Sequence, residues 1–215
     1  MMDSFRSKHD NYVLARTEVY DILTNYWHEL CDKYNIIPEL FIVDNDKLGS
    51  EMFKIIVENF DHQSFQDIGF IKRVVEDRLR YLNDHDSLMS TFLIPNKKPI
   101  SSVFITYEDI ECILDTDKPY LMCIEYLKSS LLHEMGHCIS NEERYVNDEH
   151  AMRNIKEDRI IQNEYIRYID TNLSDDPYEW QIAYYHSPME LRANNAVGLT
   201  AEEIVLFDMV MCDDI

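Results

Sequence analysis

Glycine and proline are scarce in this chain, 4 and 6 of 215 residues, which excludes a collagenous, repeat-rich or linker-like composition. No apolar run approaches the roughly 18 residues that a membrane-spanning helix needs, so no membrane association is expected. Met1–Asp10 lacks the apolar core of a signal peptide. The five cysteines, Cys31, Cys112, Cys123, Cys138 and Cys212, include no CxxC pair. An odd, unpaired set reads as free thiols in a reducing compartment, and the cytoplasm is the expected location. Positive charge is scarce too: 20 Lys and Arg stand against 41 Asp and Glu, a formal charge of −21. Such a surface repels phosphate backbones, and Lys97-Lys98 is the densest basic pair, so direct nucleic-acid binding is not expected.

What is present is a globular composition, 46% hydrophobic, with helical periodicity along most of the chain. Val13, Val19, Leu23, Trp27, Leu30 and Tyr34 predict a helix over about 10–34. Ser50 to Phe60 reads as a helix with Ser50 as its N-cap, and Ser64 to Leu82 as another with Ile68, Ile71, Val74, Val75, Leu79 and Leu82 inward. Short strands are expected at Leu40–Val43, Thr91–Ile94 and Ser102–Tyr107, the last rich in β-branched and aromatic residues. Helices follow at Asp109–Leu114, Tyr120–Ile139 and Asn147–Ile169, the last with Ile155, Ile161, Tyr165 and Ile169 as its inner face. After a polar loop at 173–177, one helix starts at Ser187-Pro188 and stops at Gly198. Thr200 with Glu203 makes a capping box for the last. The fold class is therefore α+β, mainly helical, with a mostly helical region over 1–90 and the chemistry-bearing region over 91–215.

One pentapeptide carries chemistry: His133-Glu134-Met135-Gly136-His137, an H-E-x-x-H pattern that chance would produce in roughly one shuffled sequence in forty. Residues four apart lie one above the other on a helix, so both imidazoles can reach one zinc ion. Glu134 lies beside the metal without binding it, placed to move a proton to and from water and a leaving amine. Leu127, Leu131 and Leu132 before the motif and Cys138 and Ile139 after it read as core. Gly136 costs about 1 kcal/mol of helix stability relative to Ala, which points to a close approach by a neighbour.

A catalytic zinc normally has three protein ligands and one open position. Glu190 is the leading third candidate, but Ser187, Pro188 and Glu190 also make a good capping box, and the two roles weigh about evenly on local physics. His150 is the rival ligand. Tyr184, Tyr185 and His186 precede Glu190 and are candidates for stabilising a developing oxyanion.

His133–His137 together with Pro188-x-Glu190-x-x-Ala193-Asn194 resembles the ImmA/IrrE metallopeptidases, small gluzincins of bacteria and their mobile elements, over roughly Ser102 to Gly198. The resemblance implies a zincin-like fold in which a short mixed sheet packs against the HExxH helix, with Ser102–Tyr107 as the strand that holds an extended peptide. It implies a single zinc on His133, His137 and Glu190, with Glu134 as base, Ala193 permitting close helix packing and Asn194 supporting the site. It also implies cleavage of a protein substrate, typically a helix-turn-helix repressor, for which a basic transcriptional regulator would suit the acidic surface. A second enzyme reading resembles the SprT-like proteases, with His150 as third ligand, although the CxxC ribbon is missing. The non-enzymatic alternative is an acidic decoy on the same scaffold.

Overall fold

The computed structural model describes residues 3–59, 69, 71–76, 79–80, 89–94, 100–146, 150–173 and 175–211. The first helix, α1, is Asp3–Tyr34, seven residues longer at its start than the periodicity predicts. Val19, Leu23, Trp27 and Leu30 form its buried stripe, and Val13 lies among residues whose side chains are not described. Asn35 ends it in the left-handed region (φ 53°), a conformation that asparagine tolerates better than most residues. The Trp27 indole N–H then ties the following turn down by donating to the Pro38 carbonyl at 2.9 Å.

Strands β1 (Glu39–Val43), β2 (Met89–Ile94) and β3 (Ile100–Thr106) form one mixed sheet in the order β1-β3-β2. β1 runs parallel to β3, with Leu40 opposite Val103, and β2 runs antiparallel to it, with Thr91 opposite Val103. The two-residue alternation of strands splits the core in two. Val103 and Ile105 face α1 and the HExxH helix, while Phe104 faces the opposite way and stacks on Phe41 at 5.0 Å.

That second face is covered by α2 (Leu48–Asn59) and by helical residues 71–76, through Met52, Ile55, Ile56, Ile71 and Val75. Ser50 is not the N-cap expected of it. The helix begins at Leu48 after a 3-10 turn, and the Ser50 hydroxyl donates to the Lys47 carbonyl. The expected inward positions Ile68 and Leu82 fall outside the described residues.

Thr106 closes β3 and caps α3 (Tyr107–Leu114) in a full capping box with Asp109, so Tyr107 belongs to the helix and not to the strand. The HExxH helix, α4, is Tyr120–Asn141, and Leu127, Leu131, Met135 and Cys138 bury its apolar face against the sheet and α1. The shared core joins α1 to β3 and α4 across position 90.

Past a wider π turn at Glu142–Val146, α5 (Ala151–Leu173) buries Ile155 and Ile169. Ile161, expected on the inner face, is 51% exposed. It lies six residues from Ile155, which is well off the apolar stripe of a 3.6-residue helix. A short helix absent from the sequence reading, α6 (Pro177–Tyr185), starts where Asp176 accepts the Glu179 amide. Its apolar residues occupy every face and give no helical stripe. α7 (Pro188–Val197) and α8 (Ala201–Met211) are the last described elements, the former ending at Gly198 with φ 79° and the latter held by the Thr200–Glu203 capping box.

The architecture is thus α+β and mainly helical, with a small mixed sheet beside α4. No described helix is long and apolar enough to cross a membrane.

Candidate metal centre

His133 and His137 sit one turn apart on α4, on the side opposite Leu131 and Cys138, and face α7. What lets α7 come this close is Gly136. A Cβ built there would lie 2.2 Å from the Ala193 carbonyl oxygen, far inside any allowed contact. Ala193, fully buried, supplies the other small surface. The two backbones touch, and the first turn of α7 delivers Glu190 to the histidines.

The Glu190 Oε2 atom lies 3.2 Å from His133 Nε2 and 3.0 Å from His137 Nε2. One donor atom from each residue falls within 4.8 Å of the other two, and the group can hold a metal ion. The donor chemistry fits zinc. Two ligand atoms about 2.0–2.1 Å from a tetrahedral zinc lie about 3.3–3.4 Å apart, close to the separations found here.

The surrounding hydrogen bonds orient these donors. The Asn194 amide nitrogen donates to the Tyr185 carbonyl at 3.2 Å, which turns its oxygen toward His133 Nδ1 at 2.8 Å. His133 thus carries a proton on Nδ1; without a metal the charged ring also donates from Nε2 to Glu190, and in the neutral ring the Nε2 lone pair is free for a metal ion. The Tyr184 hydroxyl donates to the second oxygen of Glu190 at 3.4 Å.

Electrostatics follow from this proximity. Burial disfavours a charged His133, but the hydrogen bond and charge of Glu190, with Glu134 and Asn194, outweigh it and push the ring up to about 9. Burial likewise opposes the Glu190 carboxylate, yet the two imidazoles hold its carboxyl well below the usual range. Cys138, buried in the core behind His137, has its thiol pushed well up by burial and the charge of Glu134.

Glu134 is buried on the sheet side. The Thr91 hydroxyl, from β2, donates to its Oε2 at 2.5 Å and approaches its carbonyl at 3.2 Å. Nothing around Thr91 in the sequence signals this role; the strand pairing alone brings it over α4.

The remaining candidates separate. Tyr185 packs its ring against His133 at 5.6 Å, and its hydroxyl donates to Asp208 on α8. Burial, with Asp208 and Glu190, pushes that hydroxyl well above its ordinary value. His186 is exposed, with Nδ1 on the Ile182 carbonyl and Nε2 4.0 Å from Glu202. Of the three oxyanion candidates, only Tyr184 has its hydroxyl on the histidine–glutamate group. His150 is exposed at the turn before α5 and is not part of that group.

The Glu190 capping box is not formed. Ser187 makes no side-chain cap, and its hydroxyl instead accepts from Gln162 of α5 at 2.7 Å. The strand expected to hold a peptide, Ser102–Tyr107, is the centre of the sheet with both edges already bonded, so it has no edge to offer. β2 is the outer strand in the order β1-β3-β2.

Comparison of the chain with protein-family models, curated proteins and solved structures gives no match.

Proposed function

We propose that this protein is a zinc-dependent endopeptidase of the zincin type, similar to the ImmA/IrrE metallopeptidases. The observation that carries the reading is the convergence of Glu190 Oε2 on His133 Nε2 and His137 Nε2, with the capping alternative unfilled. Two neutral imidazoles and a carboxylate are the ligand set of a catalytic zinc with an open fourth position. When bound, zinc supplies Lewis acidity that polarises a carbonyl and activates water near neutral pH.

The chain's own groups do the rest. Glu134 takes a proton from water and passes it to the leaving amine, and Thr91 holds its carboxylate in place. Asn194 fixes the His133 tautomer. Tyr184, whose hydroxyl is already on the Glu190 carboxylate, is the donor for a developing oxyanion. An extended segment of a protein substrate would lie beside β2, the outer strand whose Thr91 touches Glu134. A basic regulator suits the net charge of −21.

The test is metal content and cleavage together. Purified protein should contain one zinc per chain, and His133→Ala should lose it. Glu134→Gln should keep zinc and lose peptide hydrolysis. Protein that folds without stoichiometric zinc would sink the peptidase reading and leave the acidic decoy.

A further inference from the structure

We propose that Gln162 is the positioning residue that releases Glu190 from helix capping and so makes it available to the metal centre. The inference rests on the metal-centre reading above.

Ser187-Pro188-Met189-Glu190 offers its glutamate two fates. In a capping box, the Ser187 hydroxyl would accept the Glu190 amide and the Glu190 carboxylate would turn back to the amides of the helix start. Those groups are taken. The Ser187 amide donates to the Tyr184 carbonyl at 2.8 Å. Gln162 takes the Ser187 hydroxyl and the next free amide of the helix start: its Nε2 donates to the Ser187 hydroxyl at 2.7 Å, and its Oε1 accepts the Met189 amide at 3.0 Å. An amide on α5 thus caps α7 from outside, and the glutamate that the sequence would spend on the cap is left for the histidines.

Gln162 is buried, and so is Ser187. Both polar ends of the Gln162 amide are used, and an amide buried without partners would be strongly disfavoured. One turn earlier, on the same face of α5, Asp158 accepts from Arg192 of α7 at 3.2 Å. α5 therefore grips α7 at two points, on either side of Glu190, and the grip at its N-terminus decides where the glutamate points.

The experiment compares zinc affinity, by chelator competition on the folded full-length chain, for the wild type, Gln162→Met and Gln162→Glu. Gln162→Met keeps the volume but removes both bonds, so the Ser187 hydroxyl and the Met189 amide become free to draw Glu190 back, although the Ser187 amide stays on Tyr184. Its zinc affinity should fall about tenfold or more. Gln162→Glu can still accept the Met189 amide while the Ser187 hydroxyl turns to donate, and it should stay within about twofold of the wild type.

A metal-independent readout accompanies it. In wild-type protein stripped of zinc, the Met189 amide should be protected from hydrogen exchange, unlike an ordinary amide in a first helical turn, and Gln162→Met should remove that protection. Folded Gln162→Met with wild-type zinc affinity overturns the proposal. So does an unprotected Met189 amide in the wild type, a result that stands even if Gln162→Met fails to fold. Wild type that binds no zinc while Met189 is protected would instead overturn the metal-centre reading, and with it the role of the cap.

Discussion

Gly136 and Ala193 meet backbone to backbone: a methyl group on Gly136 would sit 2.2 Å from the Ala193 carbonyl oxygen. This contact sets the distance between α4 and α7, and therefore the distance between the two histidines and Glu190. A glycine that weakens its own helix is thus explained by the helix it admits.

The first prediction is on that contact. Gly136→Ala should raise the intrinsic preference of α4 for helix by about 1 kcal/mol. It should nevertheless destabilise the protein, by about 1–3 kcal/mol or more, because α7 must move away. Denaturant unfolding and zinc content should fall together. A variant as stable as the wild type with zinc retained would mean that the helices do not touch there.

Thr91→Val keeps the shape of the side chain and removes the hydroxyl that holds Glu134. Zinc content should not change, since the Thr91 hydroxyl bonds Glu134, which is not one of the proposed ligands. Hydrolysis of a peptide library should slow by about ten- to a hundredfold, the scale expected when a proton-transfer group loses its placement. Unchanged turnover would deny Thr91 any part in positioning the base.

Stripped of metal with a chelator, the protein should show a pH-dependent stability that traces to His133. Its ring rises from an ordinary 6.5 to about 9 in the folded state. The proton is held more tightly when folded, so the contribution is complete below about pH 6.5 and is lost as pH rises through about 9. Its size is about 3 kcal/mol at most. Denaturant midpoints measured across that interval should fall, and saturating zinc should abolish the slope because the metal takes the neutral ring. A flat profile in the metal-free protein would contradict the ion pair with Glu190.

A buried carboxylate outside the centre gives the fourth. Asp158, 3% exposed, accepts from Arg144, from the Tyr145 hydroxyl at 2.5 Å and from Arg192. Burial alone would raise its carboxyl, but Arg144, Tyr145 and Arg192 hold it below the ordinary 3.8. Asp158→Ala should cost about 1–3 kcal/mol, because the buried Tyr145 hydroxyl loses its acceptor while the two guanidinium groups, partly exposed, turn to water. The wild-type contribution is present above the ordinary value and disappears as pH falls through the lowered one, so the two proteins should converge in stability in acid. Thermal melts at pH 7 and at a series of pH values descending from 3.8 check both points, the gap narrowing progressively.

Much of this molecule is written locally. Helix periods over 120–139 and 188–197, the Gly198 stop, the Thr200–Glu203 cap, the two-residue alternation of β3 and the i, i+4 histidine pair depend on neighbours a few residues away, and each is legible without a structure. α6 was not, because its apolar residues follow no helical stripe, although Asp176-Pro177 marks its start.

By itself the sequence determined which residue types the centre has and that His133 and His137 share one face of a helix. Only the tertiary structure decided what Glu190 does. The local sequence leaves cap and ligand about evenly weighted; in the fold the Ser187 amide is bonded to the Tyr184 carbonyl, its hydroxyl and the Met189 amide to Gln162, and Gly136 admits α7 to α4, so Glu190 lies against the histidines. In the same way, strand order alone placed Ser102–Tyr107 at the centre of the sheet and Thr91 over Glu134. Such choices rest on contacts between segments far apart in the chain, where the competing local geometries differ by about 1 kcal/mol and one distant hydrogen bond is enough to select between them.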